Sequence, residues 1–91
     1  ENVLYLKASG HYCEVITVSG ETILHDKSLE KLLLVLPDSF LRIQRSYAVP
    51  QQSMKSIKSE EGSKYWLTLT NNEILPIGRT RIKEVKANLI S

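Results

Sequence analysis

The run Phe40-Leu41-Arg42-Ile43-Gln44-Arg45-Ser46-Tyr47-Ala48-Val49 decides how this chain is read. Its apolar residues are built for burial in a strand, yet two arginines and a glutamine are set among them. The polar Gln44-Arg45 pair predicts a break or bulge between two extended halves, Phe40 to Ile43 and Ser46 to Val49. Pro50 has no N–H to give to a ladder and should end the second half. The whole reads as a rigid, cationic edge.

Further along, a second arginine group, Arg79 and Arg81, follows the extended segment Glu73 to Ile77 and opens an amphipathic C-terminal helix. In that helix Ile82, Val85, Lys86 and Leu89 trace one stripe, with Thr80 as the expected N-cap. Between the two arginine groups, Met54 to Lys58 and Lys64 to Thr70 predict a hairpin across Glu60-Glu61-Gly62. Tyr65, Leu67 and Leu69 alternate with Trp66, Thr68 and Thr70 at a period of two. Asn71-Asn72 suits a tight turn, because Asn tolerates positive φ.

Upstream, Asn2 to Lys7 and Tyr12 to Val18 read as strands separated by Ser9-Gly10, and Ser19-Gly20 leads into Glu21 to Leu24. Both faces of the second strand are partly apolar, which predicts a strand between two layers. The period then changes: Leu29, Leu32, Leu33 and Leu36 form a helical stripe, capped by Ser28 and stopped by Pro37. The expected fold class is therefore mainly β, with about eight short strands, a short helix Leu29 to Val35 on the sheet and a C-terminal helix.

At 91 residues, the chain reads as one domain with a single core and little room for a deep catalytic cleft. A hydrophobic content of 42% and a charged content of 24% disfavour disorder, and the longest apolar run, Leu32 to Leu36, is too short to span a bilayer. No signal peptide is legible, and the absence of an initiator Met reads as an excised fragment. The lone Cys13 excludes an internal disulfide and fits a reducing, cytoplasmic setting. A net charge of +2 is only mildly basic, so the placement of the positive groups matters more than their sum.

Catalysis is not expected. Asp26, Asp38, Glu60, Glu61 and Glu73 fall at turns and strand ends rather than converging on a pocket. His11 and His25 lack metal-ligand spacing, Ser46 lacks a nucleophile-elbow motif, and neither Gly10 nor Gly78 belongs to a phosphate-cradling loop. No metal or cofactor is implied. Nucleic-acid chemistry fits better, because Arg pairs with guanine edges and Gln with adenine, so Gln44-Arg45 at a loop tip is suited to reading bases. Arg79, Arg81, Lys83 and Lys86 are suited to holding phosphates, with the snorkelling of Lys86 along the core stripe as its alternative role. His11 in the Gly10-His11-Tyr12 loop is a third candidate, whereas Tyr12 alternates in register with Ile16 and Val18 as a core residue would.

Four stretches in order resemble the LytTR-type DNA-binding domains, the C-terminal output modules of many bacterial response regulators. Val3 to Tyr12 resembles the opening strand and first loop, Ser28 to Leu36 the short helix, Phe40 to Tyr47 the most diagnostic run, and Leu75-Pro76-Ile77-Gly78-Arg79 the closing signature. The resemblance implies elongated antiparallel β-sheets whose loops enter successive major grooves of double-stranded DNA, at His11-Tyr12-Cys13, Gln44-Arg45-Ser46 and Arg79-Thr80-Arg81, with Lys83 beside the last. It also implies promoter direct repeats as targets, a dimer on DNA as one arrangement, and a phosphorylated receiver domain N-terminal to Glu1 as the controlling partner. Three positions depart from the family pattern: Gln44 where His is frequent, Pro50 where Asn is frequent, and Gly78 where Ser is frequent. The alternative reading is a non-catalytic β-rich module that docks a protein partner and leaves its basic loops solvated.

Overall fold

In the computed structural model, which describes residues 2–89, β1 (Val3–Ser9), β2 (Tyr12–Thr17) and β3 (Thr22–His25) lead into α1 (Leu29–Val35). The chain continues through β4 (Phe40–Gln44), β5 (Tyr47–Pro50), a 3-10 turn at Gln51–Ser53, β6 (Met54–Glu60), β7 (Lys64–Leu69) and β8 (Ile74–Ile77). A second 3-10 turn, Arg79–Arg81, runs into α2 (Ile82–Leu89). All the pairings are antiparallel, in a five-stranded sheet ordered β3-β2-β1-β5-β4 and a three-stranded sheet ordered β6-β7-β8. The body measures 36 × 24 × 21 Å and is elongated, as expected.

The five-stranded sheet lies between two apolar clusters. On one face Leu4, Tyr5, Ile43 and Val49 pack with Leu67, Leu69, Leu75 and Ile77 of the second sheet and Val85 of α2. On the other, Leu29 and Leu32 of α1 cover Leu6, Cys13 and Ala48. A register shift between Val3 and Tyr5 lets the consecutive Leu4 and Tyr5 reach the same cluster, which strict alternation forbids. Leu29 and Leu32 supply the buried side of the α1 stripe, and Ser28 Oγ accepts the Lys31 N–H at 3.3 Å to cap it.

Two polar contacts tie the layers together. Tyr5 hydroxyl donates to Glu73 Oε2 at 2.9 Å, between the two sheets; burial first, and then this hydrogen bond, raises the tyrosine pKa. At the C-terminal end of α2, Gln51 Nε2 donates to the Asn88 carbonyl at 2.7 Å, which satisfies a carbonyl of the last helical turn.

Three expectations are corrected here. Cys13 is fully buried under α1, with burial raising its thiol pKa, so its side chain is core rather than contact. Tyr12 is 49% exposed, because it pairs with Ser9 where β2 overhangs the end of the core. Thr80 does not cap α2: it lies inside the 3-10 turn, and Gly78 stands at the turn's N-cap position without a side-chain bond. The Gly78 carbonyl itself accepts the Arg81 N–H at 2.9 Å, so the turn feeds straight into the helix.

Candidate nucleic-acid interface

Backbone hydrogen bonds gather the turns at one end of the molecule. Lys7 pairs with Tyr47, and the Ala8 N–H donates to the Ser46 carbonyl at 2.8 Å, which sets the β4–β5 turn beside the β1–β2 turn carrying His11. On its other side, the Gly78 N–H donates to the Ile43 carbonyl at 2.8 Å and fixes the start of the Arg79–Arg81 turn. Gln44, Arg45, Gly78, Thr80 and Arg81 consequently line one shallow cleft. The pairing of Tyr65 with Ile77 turns the β6–β7 tip, with Glu60 and Glu61, toward this end as well.

Glycine is needed at the first of these turns, where Gly10 has φ +64°, a left-handed conformation that favours glycine. It is not needed at Gly78, where φ is −67° and an added Cβ would meet its nearest neighbours at 3.7–3.8 Å, an ordinary contact. The departure from Ser at this position leaves the backbone geometry intact.

The β4–β5 turn is fastened by its own side chains. Gln44 Oε1 accepts the Ser46 N–H at 2.8 Å, and Arg42 Nη2 donates to the Arg45 carbonyl. The Gln44 carbonyl oxygen is thus engaged within the turn, and its amide N–H groups are the donors left for a ligand. Arg45 itself is exposed, as are His11, Arg79, Thr80 and Lys83; Gln44, Ser46 and Arg81 are half-buried. Among the described residues no arginine lies within 4.0 Å of a carboxylate; the ion pair found joins His25 and Asp26. The positive charges at this end are open to an outside anion.

Of the residues expected at the interface, the structure brings the turns of His11, Gln44, Arg45, Ser46, Arg79, Thr80 and Arg81 to one end, with Lys83 exposed in the first turn of α2. It takes the Cys13 side chain away. Lys86 lies with its Nζ 5.8 Å from the centre of the Tyr65 ring, over the second sheet, a cation–π contact that matches its alternative, structural role. Arg42 escaped assignment in the sequence, although an arginine flanked by Leu41 and Ile43 in the middle of a strand was the signal that it has an internal partner.

Comparison with known proteins bears on the family and the fold. Residues 1–90 match the model of the LytTr DNA-binding domain. The CO-responsive transcriptional regulator RcoM of Rhodospirillum rubrum is 32% identical over 88 residues, covering 96% of this chain but only 37% of the relative. A solved LytTr DNA-binding domain from Bacillus cereus superposes with a TM-score of 0.83 at 28% identity, covering 99% of this chain and 83% of that one. The fold is shared with that solved domain, and with the family model matched over residues 1–90 the chain belongs to the LytTr DNA-binding domains.

Proposed function

We propose that this chain binds double-stranded DNA in a sequence-specific manner by inserting its turns into successive major grooves, on behalf of a transcriptional regulator. The observation that carries the reading is the cleft shared by Gln44, Arg45, Gly78, Thr80 and Arg81, whose arginines have no carboxylate partner among the described residues. Arg45, with Gln44, contacts base edges; Arg79, Arg81 and Lys83 contact bases or phosphates; His11, Tyr12, Ser46 and Thr80 line the flanks.

The regulatory setting extends this reading. The chain spans about a third of the length of its curated relative, a transcriptional regulator by name, so control by another domain of the same polypeptide is the arrangement we infer. A receiver domain is the controlling partner proposed here, direct repeats in promoters are the target, two copies side by side are the bound form, and the cytoplasm is the location. Among the described residues no helix is long and apolar enough to cross a membrane.

Selection of duplexes from a random pool, followed by a salt titration of the enriched duplex, tests the proposal. An enriched motif, repeated at about 10 to 10.5 base pairs, and affinity that falls steeply with salt are expected. No motif together with a flat salt response would instead favour a protein-docking module.

A further inference from the structure

Both ends of one peptide unit, the one joining Arg45 to Ser46, are held by side chains of the strand that leads into it. Its oxygen accepts from Arg42 Nη2, and its N–H donates to Gln44 Oε1. Arg42 pairs with Ala48 and Gln44 with Tyr47, so the register of β4 shifts between them and the two side chains reach the peptide from the two sides of a bulge. A peptide plane gripped at both edges cannot rotate, so the ψ angle of Arg45 is fixed and with it the direction in which the Arg45 side chain leaves the turn. The next carbonyl, that of Ser46, is held in turn by the Ala8 N–H.

Arg42 is a poor choice for packing alone. Its Nε is buried with no partner among the described residues, and a buried donor left unpaired is unfavourable. An unbranched apolar side chain would fill the space without that penalty. What the guanidinium adds is the bond to the Arg45 carbonyl and a positive charge beneath the tip.

We infer that Arg42, acting with Gln44, is a positioning residue that aims Arg45 and thereby sets base discrimination. The inference rests on the proposed reading of Arg45 as a base contact. Arg42 itself touches no base in this scheme; its effect on recognition passes through the clamped peptide. A one-ångström error in the tip spoils a bidentate bond to a base while leaving a diffuse attraction to phosphates almost intact.

The test uses the duplex that the wild-type chain enriches from a random pool, together with its single-base variants. Arg45→Ala first locates the base pair whose identity Arg45 reads. Arg42→Met and Arg42→Lys are then each expected to lower discrimination at that base pair about tenfold, while discrimination at the other pairs stays as in the wild type. Lysine keeps the charge but not the planar fork, so its failure to restore discrimination separates aiming from charge. Uniform weakening on every variant, with the salt slope reduced by about one, would make Arg42 a phosphate contact and overturn the inference; so would unchanged discrimination. Thermal unfolding of each variant is followed in parallel, and the lysine variant decides alone if the methionine variant does not fold. Should Arg45→Ala leave every base preference unchanged, the reading of Arg45 is what has failed, a result distinct from failure of the clamp.

Discussion

Gly78 and Ile43, far apart in the chain, are joined by a backbone hydrogen bond of 2.8 Å that holds the Arg79–Arg81 turn against the end of β4. This bond makes two arginine-bearing turns into one surface. Gly78→Pro tests it, because φ at Gly78 is −67° and Ile77 is extended, so the backbone angles suit proline while the N–H is lost and the ring Cδ pushes the Ile43 carbonyl away. An unpaired Ile43 carbonyl should destabilise the chain by about 1–3 kcal/mol and weaken DNA binding further, as read by thermal unfolding and fluorescence anisotropy. Gly78→Ser, whose Cβ has room, should leave both measurements close to wild type.

Arg45 and Lys83 should respond differently to truncation. Arg45→Ala is expected to weaken binding by about 1–3 kcal/mol in a manner that depends on one base pair. Lys83→Ala, at an exposed position in the first turn of α2, should weaken all sequences alike and lower the salt slope by about one. Arg79→Ala decides between the two behaviours for its turn. Competition titrations with single-base variants at several salt concentrations separate the cases.

The acidic tip of the β6–β7 hairpin points to the same end as the arginines, so its carboxylates oppose an approaching phosphate backbone. Glu61→Gln should tighten binding modestly on every duplex, and Glu61→Lys more so, with the gain shrinking as salt rises. Equal affinities across this series at low salt would place the tip away from the duplex.

Alkaline pH should loosen the joint between the sheets. The Tyr5 pKa is raised above the ordinary 10.0 chiefly by burial, with the Glu73 hydrogen bond adding to it. The folded state therefore holds this proton more tightly than the unfolded state. Its contribution is fully present below pH 10.0 and is lost as pH climbs from there toward the higher folded value. Denaturant unfolding across that range should show the decline, and Tyr5→Phe should flatten it at the expense of about 1 kcal/mol at neutral pH.

Cys13 should behave as a core atom. Its thiol is buried beneath Leu29 and Leu32, and burial raises its pKa, so a thiol reagent should react slowly with the folded chain and quickly once denaturant is added. Rapid reaction without denaturant would mean that α1 lifts from the sheet.

Local patterns announced most of the architecture. The α1 stripe gave its limits from leucine spacing and the Ser28 cap, and the alternation in β7 put Leu67 and Leu69 inward. Facing in β2 was harder, because Cys13 and Val15 are as apolar as Tyr12 and Ile16, and only the arrival of α1 and the overhanging strand end settle which are buried. The bulge at Leu4 leaves no mark in composition. Thr80 has the chemistry of a cap, but a 3-10 turn already supplies the first carbonyl acceptor. At the interface, charged tips were legible as arginines on turns, whereas the Arg42 bond depends on a strand reversal that brings residue 45 back over residue 42.

The Ala8–Ser46 and Gly78–Ile43 attachments are both made by main-chain atoms, which nearly every amino acid possesses. Side chains at the exposed tips can therefore be exchanged without dismantling the frame beneath them. Divergent members of such a lineage can be re-lettered one finger at a time, acquiring new operators while inheriting the same skeleton.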